Sequence, residues 1–452
     1  MPKPQKFDYF VIGTGTAGQK VALAAGRAGH SVGITDYRDY GGTCALRGCT
    51  PKKILLAAAR SMNGVERLRG KGFTGLPGFS WPDLQRHKNE RMAKIDPGTR
   101  RNLSEAGVTM FDARARFTAP HRLDVGGQEV QADHVIIATG GKPAPLDFPG
   151  ADLLSTSDDF LDLDELPPSL VIVGGGYIGA EFAHLATVLG SRVTVIASDA
   201  NPVAKFDRDL NSLLADAARE RGMDLHFSCK ATRVERTDDG MLAVTAEREN
   251  GTTFTVRADC AFHAAGRVPN VADLGLEAAG IAYGKRGIAV DDHLCTCVRA
   301  HYAIGDCSDN GLDLTPVANH DARVLVANLF EGADRAVDYY PVPTLAFTIP
   351  PIASVGMTAE EADASDRDLR INYQVTTDDF HAWHQNAIVE AHKIIIDRET
   401  ETIVGAHLLG PDADEMINLF ALAIYQKVTV AELRDRLWAY PTAGARIGTM
   451  VK

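Results

Sequence analysis

Short apolar runs recur along the chain, and two of them end at glycine-rich turns. Residues 7 to 12, FDYFVI, predict a buried strand that ends in the turn GTGTAG. The alanine-rich QKVALAAGRAG that follows predicts a helix, and SVGIT predicts a second strand that ends at Asp36. This order of elements is typical of a dinucleotide-binding unit, in which a strand, a glycine turn, a helix and a second strand are followed by an acid.

The glycines of this turn have distinct uses. At Gly13, Gly15 and Gly18 the missing side chains allow a tight turn, a close approach of a pyrophosphate and close packing of helix on strand. The start of the helix attracts the anion, and Asp36 is placed to accept hydrogen bonds from ribose hydroxyls.

The same order recurs between residues 169 and 197, in SLVIVGGGYIGAEFAHLATVLGSRVTVIA. Its turn contains Gly174, Gly176 and Gly179, but no acid ends its second strand, because Ala197 is followed by Ser198 and Asp199. Two dinucleotide units predict two nucleotides, most simply FAD and a nicotinamide cofactor, NAD(P)H. The alternative is a degenerate repeat that binds nothing.

The rest of the chain mixes strands and helices. HRLDVGGQEVQADHVII predicts a hairpin that returns to a buried strand, and short alternating strands are expected from 225 to 265. Near the end, HKIIIDRETETIVGAHLLG predicts strands and EMINLFALAIYQK a helix. The predicted fold class is α/β, with two Rossmann-like dinucleotide-binding domains and a carboxyl-terminal α+β domain.

Composition narrows the choice of partner and compartment. Lys and Arg total 47 against 59 Asp and Glu, a net charge of −12, and no basic cluster is long enough to follow a nucleic-acid backbone. The stretch MPKPQKFDYFVIG lacks the long apolar core and small-residue cleavage site of a signal peptide, and no apolar run approaches membrane-spanning length, so we expect neither a signal peptide nor a membrane span in this chain. Its seven cysteines, an odd number in 452 residues, favour a reducing compartment, so we expect a cytoplasmic protein without nucleic-acid or membrane partners.

Two of these cysteines, Cys44 and Cys49, lie in the loop GGTCALRGCTPKK. A structural bridge this short removes little chain entropy, so stability is a poor reason for it. A metal site needs a second ligand pair, which Cys295 and Cys297 offer at an unusual spacing. Pro51 suits the first turn of a helix, and a helix start favours the thiolate of Cys49, which agrees with a redox pair.

Five segments carry a family resemblance: GGTCALRGCTPKK, GGGYIGAE, AGRVPN, AIGDC followed by LTPVA, and YYPVPTLAFTIPPIASVGMTAEEA. Along nearly its full length the chain resembles the disulfide oxidoreductases with two dinucleotide sites, such as glutathione reductase, dihydrolipoamide dehydrogenase and mercuric reductase. The resemblance implies a homodimer. It also implies an FAD-binding domain in two parts, 1–150 and 269–335, an NAD(P)-binding domain, 151–268, and a dimerisation domain, 336–452.

The resemblance also implies residue roles. Cys49 is the sulfur beside the flavin, and Cys44 is the outer sulfur that attacks substrate. Lys52 and Glu181 form an ion pair near the flavin, although two solvated surface charges are the alternative, and Tyr177 is a gate on the nicotinamide side. Asp306 holds the ribityl chain. The other cofactor contacts that it implies are Gly42, Thr43, Ala138, Thr139, Gly140, Ser198, Gly266, Arg267 and Gly305.

The chain departs from this family at its carboxyl end. The disulfide reductases have His-Pro-Thr-x-x-Glu there, supplied by the partner subunit, whereas this chain has Tyr440 for the histidine and Ala445 for the glutamate. A phenol is a poor proton acceptor at neutral pH, although Tyr440 retains a hydrogen-bond donor and a soft-metal contact. His381 and His384 are far from this segment in sequence, and we expect them to be ordinary surface or interface residues.

The sequence therefore predicts an FAD-dependent enzyme that passes electrons from NAD(P)H to a Cys44–Cys49 disulfide. The small-molecule oxidant would be a disulfide with acidic leaving thiols or a soft metal ion. One alternative is an oxidase or diaphorase that reduces oxygen or quinone directly. Another is a non-catalytic FAD-binding redox sensor. The residues after the second strand of the second unit match neither the arginines of NADPH-using relatives nor the glutamate of NADH-using ones.

Overall fold

A computed structural model describes residues 3–452 and divides the chain into two compact units. Unit 1 contains the chain up to Ile54 together with Asp83–Ala144 and Gly266–Asp338, and unit 2 contains Leu55–Pro82, Pro145–Ala265 and Tyr339–Lys452. The division into four segments at residues 150, 268 and 335 stays a prediction. None of the described helices combines the length and the apolar character needed to cross a membrane.

The strands of the described chain are β1 Gln5–Ile12, β2 Val32–Asp36, β3 Thr109–Asp112, β4 Ala115–Ala119, β5 Arg122–Val125, β6 Gln128–Ile137, β7 Gly141–Pro143, β8 Ser169–Val173, β9 Arg192–Ile196, β10 Asp224–His226, β11 Cys229–Arg236, β12 Leu242–Arg248, β13 Thr253–Ala258, β14 Cys260–His263, β15 Arg267–Pro269, β16 Tyr283–Gly284, β17 Gly287–Ile288, β18 His301–Ala303, β19 Thr344–Ala346, β20 Ile352–Gly356, β21 Leu369–Val375, β22 Ala391–Asp397 and β23 Thr402–Leu409. The helices are α1 Thr16–Arg27, α2 Gly42–Arg47, α3 Cys49–Arg67, α4 Trp81–Met92, α5 Ile95–Glu105, α6 Ser157–Leu161, α7 Tyr177–Val188, α8 Arg208–Glu220, α9 Leu276–Ala279, α10 Thr315–Phe330, α11 Ala359–Asp363, α12 Phe380–Trp383, α13 Ala413–Tyr425, α14 Val430–Asp435 and α15 Ile447–Met450.

The main sheet of unit 1 has the order β3-β2-β1-β6-β5-β4, with β18 parallel to β6, and two small sheets, β7–β15 and β16–β17, lie in the same unit. The neighbours β1, β2, β3 and β6 are parallel, so both faces of the central strands are covered. Phe10 and Ile12 of β1 belong to one buried apolar cluster, while Tyr9 and Val11 pack on the other side with α1 and α10. The strand, helix and strand predicted from residues 7 to 36, and the hairpin β5–β6, are confirmed.

Unit 2 contains three sheets. The parallel sheet β10-β9-β8-β14 holds the second strand, helix and strand predicted from the sequence, and the antiparallel sheet β11-β12-β13 follows it. The third sheet, β19-β20-β23-β22-β21, is antiparallel, and α13 packs on it through Ile417 and Phe420. The predicted α/β class with a carboxyl-terminal α+β part is therefore confirmed.

Candidate redox and nucleotide-binding sites

The first glycine turn lies between β1 and α1 in unit 1. A Cβ at Gly13, where φ is +110°, would collide with the carbonyl of Ala138, and a Cβ at Gly18 would collide with the carbonyl of Gly13. At Gly15 none of the atoms of residues 3–452 lies within 4 Å of the Cβ position. The turn is thus closely packed behind Gly13 and open at Gly15, as a pyrophosphate site requires.

Asp36 ends β2 and is tied to this turn. Its Oδ2 accepts hydrogen bonds from the Thr14 amide at 3.0 Å and the Thr14 hydroxyl at 2.7 Å, and its Oδ1 accepts one from the Arg38 amide at 3.2 Å. The predicted contact of Asp36 with ribose stays a proposal. Its contact with Thr14 gives the carboxylate a second purpose, which is to hold the turn in place.

The redox loop is packed directly on this turn. A Cβ at Gly42, where φ is +72°, would collide with the Cα of Gly15. Cys44 lies in α2 and Cys49 is the first residue of α3, so the predicted position of Cys49 at a helix start is confirmed. The thiol of Cys49 is 3.8 Å from the hydroxyl of Thr315.

The cysteine pair is described in its reduced, dithiol form. The pKa of the Cys44 thiol is raised, first by its hydrogen bond to Cys49, then by burial and by the negative charge of Cys49. The two sulfurs therefore titrate as a pair in which Cys44 keeps its proton longer. Among residues 3–452 there is no group of three or more His, Cys, Asp and Glu side chains that could hold a metal ion.

A second segment of unit 1, around Asp306, was predicted to contact the flavin. Burial, followed by the charge of Asp313, raises the pKa of Asp306 to about 6, while Arg267 opposes this shift. Arg267 also donates a hydrogen bond to the carbonyl of Gly141, and Asn270 donates one to Gly140 at 2.8 Å. These bonds join β15 to β7 and the end of β6. Within unit 1 lie all the following predicted cofactor residues: Gly13, Gly15, Gly18, Asp36, Gly42, Thr43, Ala138, Thr139, Gly140, Gly266, Arg267, Gly305 and Asp306.

The second glycine turn, in unit 2, repeats the geometry of the first. A Cβ at Gly174 would collide with the carbonyl of Ala264, and one at Gly179 with the carbonyl of Gly174, whereas none of the described atoms lies within 4 Å of the position at Gly176. Tyr177 opens α7 and is 45% exposed. The degenerate-repeat alternative therefore has no geometric support, because the space for an anion is kept in both turns.

The end of β9 differs from that of β2. Ala197 is buried, and the exposed Ser198 and Asp199 follow it. The carbonyl of Asp199 accepts a hydrogen bond from the Ser228 amide at 3.0 Å, so this segment is held by its backbone while both side chains face solvent. The contact of Ser198 with the nicotinamide cofactor stays a proposal.

Glu181 is only 3% exposed in the middle of α7. Its Oε1 accepts a hydrogen bond from the amide of Phe347, at 2.8 Å. The alternative of a solvated surface charge is therefore wrong for Glu181. Its predicted pairing with Lys52, which follows Cys49 by one turn of α3, stays a proposal.

The carboxyl-terminal segment exposes Tyr440, whose side chain is 85% accessible. The hydroxyl of Thr442 donates to the carbonyl of Ala439 at 2.7 Å and accepts from the Ala445 amide at 3.3 Å, so the backbone of the turn is held locally. The phenol of Tyr440 therefore faces away from the body of unit 2.

His381 is held between two carboxylates. Its Nδ1 lies 2.9 Å from Glu390 and its Nε2 3.1 Å from Asp412, and its side chain is only 13% exposed. Arg446, directly after Ala445, forms an ion pair with Glu390. His381 is therefore not an exposed surface residue, because Glu390 and Asp412 enclose it, and the expectation of an interface position stays a prediction, whereas His384 is exposed, as expected.

The residues of unit 1 fit an FAD. Gly15 leaves space for a pyrophosphate, the start of α1 follows it, and the half-buried Asp306 has a raised pKa, which a ligand hydroxyl donating to its carboxylate would relieve. In unit 2, Gly176 leaves the corresponding space at the start of α7 for a nicotinamide cofactor.

Comparisons with known proteins agree with this geometry. Residues 7–322 match the family described as pyridine nucleotide-disulphide oxidoreductase, and residues 342–451 match its dimerisation domain. A glutathione reductase of Burkholderia cepacia is 34% identical, with 98% of both chains covered. A dihydrolipoyl dehydrogenase of Bacillus subtilis is 31% identical, with 96% of this chain and 95% of the relative covered.

Solved structures give the same result. The HOCl-induced flavoprotein disulfide reductase RclA from Escherichia coli, in its Cu(II) complex, has a TM-score of 0.89 and 28% identity, with 99% of both chains covered. Without Cu(II) the TM-score is 0.88, with 98% of this chain and 99% of that chain covered. Family members use FAD and NAD(P)H, and the dimerisation domain supports a homodimer. The chain therefore belongs to the pyridine nucleotide-disulfide oxidoreductase family, as an FAD-dependent NAD(P)H disulfide oxidoreductase.

Proposed function

We propose that this enzyme passes electrons through Cys44 and Cys49 to an acceptor that needs little proton transfer from the protein. A disulfide with acidic leaving thiols fits this description, and so does a soft metal ion. One observation carries the proposal. The cysteine pair is complete, whereas Tyr440 and Ala445 replace the family's histidine and glutamate.

The electron-donating half follows the family scheme. When bound, FAD supplies hydride acceptance from NAD(P)H and delivery of the electron pair to a neighbouring disulfide. Gly13, Gly15 and Asp36 would bind its adenosine diphosphate part, and Asp306 its ribityl chain. Cys49 would hold the thiolate beside the ring, stabilised by the start of α3 and by Lys52.

The residues of unit 2 would serve the nicotinamide cofactor. The open turn at Gly176 would bind its pyrophosphate, and the exposed Tyr177 would be the gate on the nicotinamide side that the family resemblance implies. The buried carboxylate of Glu181 would fix the position of Lys52 through the ion pair that the family predicts.

The substrate half rests on Cys44. With a disulfide substrate, the Cys44 thiolate attacks one sulfur and releases one thiolate. Cys49 then attacks the Cys44 sulfur, which releases the second thiolate and restores the Cys44–Cys49 disulfide. With Cu(II), the two thiols lose two protons and give one electron to each of two ions, which become Cu(I), while the Cys44–Cys49 disulfide forms. Acidic leaving thiols need no proton from the enzyme, so the departure of such thiols does not require a histidine acid at 440.

RclA supports a role for either substrate class. That protein is induced by HOCl, a reagent that oxidises thiols, and it forms a Cu(II) complex. Induction by HOCl and binding of Cu(II) agree with an acceptor of one of two kinds. It is either a metal ion that sulfur ligands bind or a disulfide formed by oxidation of thiols.

The test combines cysteine variants with an oxidant panel. Anaerobic titration of the holoenzyme with dithionite should consume two electrons more than the flavin alone, and Cys44→Ser should remove them. Cys44→Ser should also abolish reduction of 5,5′-dithiobis-(2-nitrobenzoate) and of Cu(II), while Cys297→Ser, which removes an exposed cysteine of unit 1, leaves both intact. Unchanged turnover in Cys44→Ser would favour an oxidase or diaphorase, and failure of NADH and NADPH to reduce the flavin would favour a redox sensor.

We also propose that the enzyme is a homodimer in the cytoplasm, with a small-molecule oxidant as its partner. The dimerisation domain and the family's reducing chemistry support this proposal. A partner subunit would bring its Tyr440 to the cysteine pair if the family arrangement is kept.

A further inference from the structure

A cavity in unit 2 is surrounded by three arginines that take no part in the proposed electron path. It has a volume of about 130 Å³, and Arg60, Arg67 and Arg221 line it together with Asn63. Arg60 and Arg67 are seven residues apart on α3, so both lie on the same face of that helix. Arg221 follows directly after α8. Three cationic side chains from two elements therefore converge on one space.

Two of these arginines have protein partners that use only part of their donors. Arg221 forms an ion pair with Glu66 at 2.9 Å and donates to the Asn63 side chain at 2.5 Å. Arg60 forms an ion pair with Asp414 at 2.8 Å. Among residues 3–452, however, Nη2 of Arg60 is buried with no hydrogen-bond partner.

The positive charge of Arg67 is less well balanced by protein carboxylates than the charges of Arg60 and Arg221. Its Nε is buried and has no hydrogen-bond partner within the described part of the chain. Burial, and then the charge of Arg221, lowers its pKa, while Asp412 opposes the shift. Arg60 and Arg221 each form an ion pair with a carboxylate, whereas Arg67 forms none among the described residues and feels Asp412 only at longer range.

Buried guanidinium donors without partners are costly, because they have lost water and gained nothing in exchange. An anion in the cavity removes this cost for both arginines at once. Water satisfies the donors but does not give Arg67 the ion pair that Arg60 and Arg221 have. Guanidinium groups bind oxyanions through paired N–H donors. An oxyanion with oxygens on several sides can accept hydrogen bonds from several arginine side chains at once.

We propose that this cavity is a binding site for a tetrahedral oxyanion of the phosphate and sulfate class. The volume of about 130 Å³ is enough for one such ion with a few waters. Backbone and apolar side chains of Ile349, Pro350 and Val389 form another part of the lining, and their low polarity strengthens the attraction between the ion and the arginines. The site is independent of the identity of the electron acceptor.

The site also contacts the segment that holds Glu181. The Arg60 guanidinium lies 5.5 Å from the centre of the Phe347 ring, and the amide of Phe347 donates to Glu181. His184 of α7 contacts the carbonyl of Ile349 at 3.1 Å. An anion held by Arg60 therefore lies next to the residues that position the middle of α7.

The direct test is calorimetric titration of the dimeric holoenzyme with sodium sulfate, in Hepes with chloride at constant ionic strength. We expect saturation by one ion per chain below about 10 mM, and the same with inorganic phosphate. Acetate, which is planar and monovalent, should bind at least about tenfold more weakly. If sulfate shows no saturable binding, the proposed site is wrong. This result would also be obtained if a carboxylate of the partner subunit filled the cavity.

Variants separate specific binding from general salt effects. Arg67→Met should weaken sulfate binding at least about tenfold, whereas Arg69→Met, which removes the same charge from an exposed position outside the cavity, should not change it. Equal loss in both variants would contradict the proposal. Arg67→Lys keeps the charge without the paired donors and should give intermediate affinity. It serves as the second variant if Arg67→Met does not fold.

Discussion

The carboxylate of Asp36 accepts hydrogen bonds from both the amide and the hydroxyl of Thr14, at 3.0 and 2.7 Å. The end of β2 is thereby fastened to the first glycine turn by contacts within the protein. Contacts within the protein hold the turn in shape. Gly13 and Gly18 are needed for this packing, whereas Gly15 leaves space for a ligand.

We expect alanine at Gly13 to affect mainly stability and alanine at Gly15 to affect mainly FAD binding. Gly13→Ala should lower the free energy of unfolding of the deflavinated protein by about 2–4 kcal/mol, since the new Cβ meets the Ala138 carbonyl at a positive φ. Gly15→Ala should change it by less than about 0.5 kcal/mol but weaken FAD binding about tenfold or more. Urea unfolding and flavin titration of the apoprotein measure the two effects. A stable Gly13→Ala apoprotein would contradict the packing described above.

Asp306 predicts a dependence of apoprotein stability on pH. Its pKa is about 6 in the fold against an ordinary value of 3.8, so between these values the folded chain keeps a proton that the unfolded chain releases. Stability is thus lost as the pH rises from 4 to 6, and Asp306→Asn should restore up to about 3 kcal/mol at pH 7.5, and less at pH 5. Urea unfolding of the deflavinated protein at the two pH values measures this. The same variant should bind FAD more weakly, because the amide is a weaker acceptor for the ribityl hydroxyls.

Cys44 predicts the pH dependence of substrate reduction. Because Cys49 and burial raise the pKa of Cys44, only a small fraction of the attacking thiolate exists at neutral pH. With a disulfide substrate, kcat/KM should therefore rise steadily between pH 6 and 9, about tenfold per pH unit while Cys44 remains protonated. Tyr440→His should raise the rate at pH 7 by supplying a base, and Tyr440→Phe serves as its control. A flat profile below pH 7 would show that another group already removes this proton.

His381 predicts a loss of stability at high pH. Hydrogen bonds to Asp412 and then to Glu390 raise its pKa from 6.5 to about 9. Its contribution is fully present below pH 6.5 and disappears as the pH rises through 9. His381→Gln should therefore cost about 1–2 kcal/mol at pH 6, allowing for solvent screening, and almost nothing at pH 9.5. His384→Gln, three residues further and exposed, should be neutral at both values in the same denaturation series.

The parts of the site that local sequence determines could be predicted. Gly13 and Gly174 follow buried strands directly, and Cys49 precedes a proline and a helical run, so neighbouring residues alone define these turns. The contacts between distant segments could not be predicted. Glu181 and Phe347 are 166 residues apart. No pattern near Glu181 indicates that its carboxylate is buried or which amide it binds.

His381 and the arginine cavity illustrate the same limit. The segment around His381 is polar and aromatic, which is typical of a surface loop, and only the fold brings Glu390 and Asp412 to its imidazole. Arg60 and Arg67 read as the polar face of a helix until Arg221 is placed beside them. The role of a charged side chain can be inferred only when its neighbours in the fold are known, and here these neighbours lie on other elements.

The position of β18 determines when unit 1 can be completed during synthesis. This strand, residues 301–303, lies beside β6, which ends at residue 137, and α10 covers the same sheet near α1. The ribosome must therefore release more than half of the chain, including all of the second dinucleotide unit, before the first can close its core. A nascent chain should acquire lasting flavin affinity only after residue 330 has emerged, although its glycine turn is among the first segments made.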